Sequence, residues 1–393
     1  MPMTLSGYTS PQAAQVPAAR GQQRSQKIFL LILALGFAIR VIVCFFSSLR
    51  NIHTDSQDYF LQANALLSGG YINFFPNGYP LIVATIRRLT GGATLNTLLW
   101  MNILMSTAVI YFVYDISLRI FRRQQVALVS ALIVAFFPSQ INYVRWLMTE
   151  VPTTFFMAGA FWLYYRNRWF SAGLFLGAAT LVRTEILPVM LLLMLADLFF
   201  KRRFNFLLLT GGLIPLLALG YYCYTKTGEF SLAGHGKFNV MASVTASGSY
   251  VDWHYSEKHP EYDTKAKAIG LYIDTFKKQP LSFIGNRLAN LWELWGFYAS
   301  DTVIGRPVFV RIVIGLGNLF LIVFGGWGWW MNRKNVDLSI LMIPFLVITC
   351  VHIVFFAMQR YTYPVEPFMI ILAGWPLIKL VARFLPERMR TRI

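Results

Sequence analysis

The sequence predicts an all-α polytopic membrane protein of about ten transmembrane helices. Two observations predict it. The chain is 56% hydrophobic and only 13% charged, with a mean hydropathy of +0.53, outside the range of a soluble domain. Apolar runs of membrane length also recur along it, separated by short gaps that hold the basic residues. The net charge of +18 does not point to nucleic acid, because the Lys and Arg residues occupy those gaps and form no continuous basic patch. The three cysteines, Cys44, Cys223 and Cys350, lie in or at the ends of apolar runs. With no CxxC among them, they imply no disulfide framework.

The apolar runs fall near 28–49, 94–118, 125–141, 147–165, 169–182, 186–200, 204–223, 308–331, 338–358 and 365–385. Residues 1–26, rich in Ala, Gln, Ser and Pro, read as a disordered cytosolic tail. The first run lacks a small-residue cleavage site and is expected to be retained. Residues 27–386 then form one transmembrane domain, and 387–393 a basic cytosolic tail. The fifth and sixth runs are too short to cross a bilayer, and Arg183-Thr184-Glu185 joins them. That joint is expected to dip into a protein-lined cavity. His352 lies within the ninth run and is expected to hydrogen-bond between helices.

Basic residues set the orientation. Arg20, Arg24 and Lys27 precede the first run; Arg119, Arg122 and Arg123 follow the second; Arg166 and Arg168 follow the fourth. Lys201, Arg202 and Arg203 follow the sixth, Arg333 and Lys334 the eighth, and four arginines close the chain. If every run spans, all fall on one side, which the positive-inside rule makes cytosolic. The other side receives the loops 50–93 and 224–307 and most of the carboxylates, including Asp55, Asp58, Glu150, Glu185, Glu293 and Glu366. Any chemistry is therefore expected on the non-cytosolic face.

In the first outer loop, Asp55 and Asp58 follow directly on the first span. Three residues apart, they share one face of a helix. Such a pair can hold a divalent metal or take a proton from a hydroxyl. The same spacing fits a plain helix start, with Thr54 or Asp55 as N-cap and Asp58 near the positive end of the dipole. An interfacial helix runs from Tyr59 to Leu67 and stops at Ser68-Gly69-Gly70. After the turn Asn73–Pro80, a second runs from Leu81 to Leu89 and carries Arg87 and Arg88. Two surface helices around a turn can roof a cavity. In the second outer loop, Lys265–Lys278 and Leu281–Trp295 read as helices. His235, His254 and His259 match no zinc spacing, and Trp253, Tyr255, Trp292, Trp295 and Tyr298 read as interfacial anchors.

An ordered set of short motifs accompanies these features. It comprises Asp55 with Tyr59, Leu66-Leu67-Ser68-Gly69-Gly70, Pro76-Asn77-Gly78-Tyr79-Pro80, Thr149-Glu150-Val151-Pro152, Leu181-Val182-Arg183-Thr184-Glu185, and Gln359-Arg360-Tyr361-Thr362-Tyr363-Pro364-Val365-Glu366-Pro367. Over roughly residues 28 to 380 this set resembles the GT-C membrane glycosyltransferases. The nearest branch is the protein-mannosyltransferase-like and aminoarabinose-transferase-like proteins. Asn77 interrupts the Pro-Gly-Tyr-Pro turn of many relatives. The resemblance implies a GT-C-like bundle and a sugar donor on a polyprenyl phosphate. It implies a lipid, glycan or protein acceptor attacked on the outer face of a bacterial cytoplasmic (inner) membrane, toward the periplasm or exterior. The orientation alone would fit an endoplasmic-reticulum membrane equally.

On that resemblance Asp55 is the general base or a metal-associated carboxylate, and Asp58 the nearest second acid; a divalent cation such as Mg²⁺ or Mn²⁺ would sit on this pair. A departing phosphate needs positive donors. Arg183 and Arg360 occupy span ends where a lipid phosphate would lie, and guanidinium binds phosphate through two donors. Arg183 could equally pair with Glu185 or Glu150, and Arg360 with Glu366. Arg87 and Arg88 are the next phosphate candidates. Tyr59, Tyr79, Glu150, Glu185, Tyr361 and Tyr363 are the candidate substrate contacts. A transporter or flippase of a lipid-linked sugar would explain broken helices, but no half-to-half repeat is visible and the charges gather at one face. A polysaccharide polymerase or ligase would use similar donors, and a non-catalytic membrane subunit would leave Asp55 replaceable.

The orientation is open to labelling. In a chain stripped of its native cysteines, Glu257→Cys should react with an impermeant maleimide added outside intact cells and Lys334→Cys should not; the reverse pattern would overturn the topology.

Overall fold

The computed structural model describes residues 16–46, 54–91, 94–296 and 308–384. Most of the expected N-terminal tail, the basic C-terminus, His53 and Tyr298 lie outside the described residues. The chain opens with α1 (Val16–Phe46). Two short helices, α2 (Thr54–Leu67) and α3 (Gly78–Thr90), lead into α4 (Thr94–Phe121). Next come α5 (Gln124–Phe136), α6 (Pro138–Asn142), α7 (Glu150–Tyr165) and α8 (Trp169–Val182). A 3₁₀ turn, Thr184–Ile186, joins α8 to α9 (Leu187–Lys201), and α10 (Phe206–Thr227) follows. The second loop folds into α11 (Gly236–Thr245), α12 (Tyr255–Lys258), α13 (Lys265–Lys278) and α14 (Pro280–Trp295). The chain then runs through α15 (Val308–Phe320), α16 (Gly326–Met331), α17 (Val336–Ile340) and α18 (Ile343–Val354). A 3₁₀ turn, Gln359–Thr362, precedes α19 (Glu366–Phe384). Among the described residues there is no strand, only an isolated bridge between Ser247 and Tyr250.

The protein is an all-α integral membrane bundle. Among the described residues, six helices are long and apolar enough to cross a bilayer, or seven if α5 and the segment Pro138–Arg145 count as one span bent by 51°. Ten apolar runs were expected. The difference lies in α7, α8 and α9, which have 16, 14 and 15 residues. The run 125–141 is broken at Pro138, which has no N–H to continue the helix. At the other end of the sequence, α1 starts at Val16, inside the stretch expected as a disordered tail. Ala18, Ala19, Arg20, Gln22 and Gln23 are good helix formers and carry it back.

The basic span ends meet at one end of the bundle. Asp115 of α4 holds Arg119 at 2.7 Å and Arg166 at 3.1 Å. Buried Asp197 of α9 holds Arg203 at 3.2 Å and takes a hydrogen bond from Tyr164. Lys201 reaches Asp337 at 2.7 Å. Tyr164 and Tyr165 close α7, whose other end is Glu150. Sixteen residues at a helical rise separate the two ends by about 24 Å. With the basic ends at one boundary of a ~30 Å hydrocarbon layer, the far ends of α7–α9 stop roughly one helical turn short of the other.

Close backbone approach fixes these short helices. A Cβ on Gly173 or Gly177 of α8 would strike Leu208 or Gly212 of α10, and one on Gly211 would strike Phe170. Small residues let the two axes come together, as in other membrane helix pairs. The α2–α3 turn docks in the same way, because Gly78 lies against the backbone of Leu181 and Val182. Gln62 and Asn77, both buried, tie that turn down. Gln62 Nε2 donates to Asn77 Oδ1 at 3.1 Å, and Asn77 Nδ2 donates to the Ile72 carbonyl at 3.0 Å. Asn77, the departure from the relatives' turn, therefore has a structural use. Gly234 packs on Asn73, and the Gly234 and His235 amides both donate to the Phe74 carbonyl, at 3.1 and 3.0 Å, so the second loop closes over the first.

Gly78→Ala is expected to destabilise the protein by about 1–3 kcal/mol, because an added methyl meets backbone that cannot yield. Gly270→Ala on α13, where an added Cβ meets nothing within 4 Å, should be neutral or stabilising by about 0.5–1 kcal/mol. Unfolding of both variants in detergent tests this; equal effects would refute the contact.

Candidate active site

A cavity of about 580 Å³ opens at the end of the bundle opposite the basic cluster. This is the size of a site for a small ligand. One wall is charged, with Asp55, Asp58, Glu150, Arg183, Glu185 and Arg360; the other is aromatic, with Phe74, Phe75, Phe238, Trp253 and Phe356. Tyr361 and His352 lie on it too.

The charged groups form an alternating ladder. Arg360 Nη2 donates to Asp55 Oδ2 at 2.9 Å. Arg360 Nε lies 3.8 Å and Arg183 Nη1 3.6 Å from the same oxygen of Glu150, Oε1. Arg183 Nε donates to Glu185 Oε1 at 2.6 Å, and that oxygen lies 3.8 Å from His352 Nε2. Each rung comes from a helix end or a turn. Asp55 is in the first turn of α2 and Glu150 in that of α7, where the helix dipole favours an anion. Arg183 caps the C-terminus of α8 with extended backbone, and a cation is favoured there. Arg360 stands on the 3₁₀ turn after α18. Tyr361 lies beneath, its ring centroid 4.6 Å from the Arg183 guanidinium and 5.4 Å from that of Arg360.

The ladder is buried but not closed. Glu150 is 2% and Arg183 8% exposed. Glu150 Oε2, Arg360 Nε and His352 Nε2 are buried and have no hydrogen-bond partner. Native interiors pair such atoms, so three of them around one cavity mark a place for a polar ligand. Asp58 is more open, and partial burial together with the neighbouring Asp55 raises its pKa above the usual aspartate value.

The structure thus brings together Asp55, Asp58, Tyr59, Glu150, Arg183, Glu185, Arg360 and Tyr361. Four other expected site residues lie elsewhere. Arg87 hydrogen-bonds Asn64 on the flank of the α2–α3 pair, and Arg88 is exposed on the same helix. Neither lines the cavity, because α3 buries its Tyr79–Val83 face and turns both arginines outward. Tyr79 packs edge-on against Tyr59 at 5.1 Å, and Tyr363 packs tilted against Tyr143 at 5.1 Å, both behind the wall. Arg360 does not use Glu366 in the ladder. That carboxylate instead accepts from Ser139 Oγ at 2.5 Å and Gln140 Nε2 at 2.8 Å. His352 lies near the end of α18, and its Nδ1 meets the Phe356 carbonyl four residues on, not a neighbouring helix.

Of the second-loop residues, Trp253, expected only as an interfacial anchor, lines the cavity. His235 lines it as well, with Nδ1 at 2.8 Å from the Phe74 carbonyl; burial lowers its pKa. His254 and His259 pair with Glu257 and Glu261 on the surface. The signal that could have found Trp253 and Phe238 is their place in an aromatic-rich loop on the side of the acids. Their contacts with the cavity follow from the docking of that loop on Phe74.

Helix order and cavity position bear comparison with known proteins. Residues 76–222 match the family described as dolichyl-phosphate-mannose-protein mannosyltransferase. The Archaeoglobus fulgidus oligosaccharyltransferase in its apo form superposes with a TM-score of 0.57 at 14% identity, over 91% of this chain and 51% of that one. The chain shares the fold of the matched part of that enzyme. The likeness extends to two further structures of the archaeal enzyme. The one tethered to an acceptor peptide containing the NVT sequon gives 0.54 at 13% identity, covering 92% of this chain and 51% of that chain. The one with an inhibitory peptide and a dolichol-phosphate gives 0.51 at 12%, covering 93% and 52%. The chain spans about half the length of these enzymes. No curated protein matches it in sequence.

Among the described residues, no three His, Cys, Asp or Glu side chains converge as a metal site. Asp55 is also held by Arg360; with Asp58 it would offer a cation two carboxylates, and Mg²⁺ takes one or two with waters and a substrate phosphate completing its shell.

Proposed function

We propose that the protein is a membrane glycosyltransferase that moves a sugar from a polyprenyl-phosphate donor to a lipid, glycan or protein acceptor, on the non-cytosolic face. The observation that carries this reading is the charge ladder. It sets two guanidiniums and a hydroxyl-accessible carboxylate around one recessed cavity, on a GT-C fold. The family matched over residues 76–222 and the dolichol-phosphate in one structural relative support a lipid-linked donor. The basic span ends support a cavity on the non-cytosolic side; the sequence resemblance supports a bacterial cytoplasmic membrane, with that side facing the periplasm or exterior.

The residues divide the work as follows. Asp55 takes the proton of the acceptor hydroxyl, and the oxygen attacks the anomeric carbon. The bond from that carbon to the phosphate oxygen breaks, and its electron pair leaves with the polyprenyl phosphate. Arg183 and Arg360 receive the added negative charge. Their forks are already aimed by Glu185, Glu150 and Asp55, so little reorganisation is needed at the moment of reaction. Glu150 keeps the two cations apart and neutralised until the phosphate enters. The transporter reading lacks such support: the ladder lies at one end of the bundle, not at mid-depth.

Transfer assays with purified protein and lipid-linked donors test this. Asp55→Asn keeps the hydrogen bond to Arg360 and should lose most activity, about 10²-fold or more, with unfolding temperature little changed. Arg183→Lys should weaken donor binding and Arg183→Ala weaken it further, because lysine lacks the planar fork. Wild-type turnover in Asp55→Asn would make that residue a helix cap. Normal donor binding in a less stable Arg183→Ala would make Arg183 a structural partner of Glu185. Excess EDTA separates the two roles of the acids: a loss of turnover restored by Mg²⁺ or Mn²⁺ would place a cation at Asp55 and Asp58, and unchanged turnover would leave Asp55 as the base alone.

A further inference from the structure

We infer that His352 and Glu185 form a pair of hydrogen-bond acceptors that recognises two neighbouring hydroxyls of the sugar being transferred. The inference rests on the transferase reading above and adds a specificity-determining site to it.

The tautomer of His352 carries the argument. Its Nδ1 lies 3.0 Å from the Phe356 carbonyl oxygen. A carbonyl only accepts, so Nδ1 holds the ring proton. In the neutral ring Nε2 is then an acceptor. It is buried, has no hydrogen-bond partner, and belongs to a side chain that lines the cavity and is only 6% exposed. Glu185 Oε1, 3.8 Å away, is also an acceptor, kept ionised by its 2.6 Å bond to Arg183. Two acceptors thus face one gap with no donor between them. Buried polar groups are normally paired, with protein, water or a ligand.

Tyr361 holds the ring in place. The ring stacks on Tyr361 at 4.2 Å, 18° from parallel, and Tyr361 already faces Arg183 and Arg360.

What fits is a ligand with two adjacent O–H groups, one for each acceptor. A pyranose with a free vicinal diol has them. The aromatic side supplies the rest of a sugar site. Trp253 meets Phe356 edge-on at 5.0 Å and stacks on Phe238 at 6.1 Å, and all three rings line the same cavity as the pair. Arg183 joins this subsite to the ladder through Glu185. A phosphate held by Arg183 therefore brings its own sugar, not a distant acceptor group, to His352.

The test measures binding to full-length protein in nanodiscs. The probes are undecaprenyl phosphate and the best binder among its mannosyl, glucosyl and galactosyl forms. Wild type should prefer the sugar-bearing lipid. His352→Phe keeps a flat ring on Tyr361 without an acceptor and should remove about five- to tenfold of that preference, leaving affinity for undecaprenyl phosphate unchanged. His352→Gln, which restores an acceptor, should recover part of it, and a donor lacking one hydroxyl of the diol should be insensitive to His352→Phe. An equal loss for both lipids would make His352 structural, and no loss would show that Nε2 touches no sugar. A rise in acceptor KM at unchanged donor preference would assign the hydroxyls to the acceptor. Each of these overturns the inference. Failure of the wild type to bind undecaprenyl phosphate at all would instead overturn the transferase reading itself.

Discussion

Asp55, Arg360, Glu150, Arg183 and Glu185 hold one another in an unbroken run of opposite charges, and the outer half of the molecule is arranged to keep that run in place. Buried ion pairs rarely add stability over apolar packing of the same shape, since desolvation offsets the attraction. Removing a fully buried member such as Glu150 is a different matter, because it strands buried charge at a cost of about 3–5 kcal/mol. The arrangement is therefore better understood as a device for orientation. Three helix ends and two turns are forced to converge, and the guanidinium planes are fixed before any ligand arrives. Helix dipoles ease the cost: Glu150 stands at an N-terminus and Arg183 at a C-terminus.

This explains why α7, α8 and α9 are short. Each has one end at the ladder. Full-length helices would carry Glu150, Arg183 and Glu185 to the membrane surface, where water weakens every charge interaction. Shortened helices leave a recess, and the two outer loops cover it. Cover depends on close backbone contact at Gly78 and Gly234 and on the Gln62–Asn77 amides, not on bulk apolar area. The recess is thus polar in its floor and aromatic in its roof, a combination suited to a ligand with a charged group beside a sugar ring.

Much of this was legible in the sequence. The apolar runs, the basic gaps and the shortness of the runs around Arg183 are local patterns, and local patterns report helices, ends and sidedness. Pairing between distant ends is another matter. Arg360 was offered Glu366, six residues away, and took Asp55, 305 residues away. Chain distance ranks neighbours within an element but not between elements. The same limit hid His352, whose role depends on a backbone bend after α18. It hid Pro138 as well, which broke a run that hydrophobicity alone read as continuous.

Pro138 and Arg40 solve one problem together. Arg40 interrupts the first apolar run and is fully buried in the bundle, where an unpaired charge is costly. Pro138 has no N–H, so the Val134 carbonyl four residues earlier loses its helical donor. Arg40 Nη2 donates to that carbonyl at 3.3 Å, Nη1 to the next, Ala135, at 3.0 Å, and Nε to Ser106 at 2.8 Å. The orphaned acceptors of α5 thus satisfy the buried cation of α1, and neither could stand in the membrane alone. The bend they stabilise turns Ser139 and Gln140 toward Glu366, and Gln140 also holds the Tyr363 carbonyl at 3.1 Å. Tyr363 follows directly on the turn that carries Arg360. A charge at membrane depth is in this way linked, through a broken helix and two amide contacts, to the placement of the arginine at the head of the ladder.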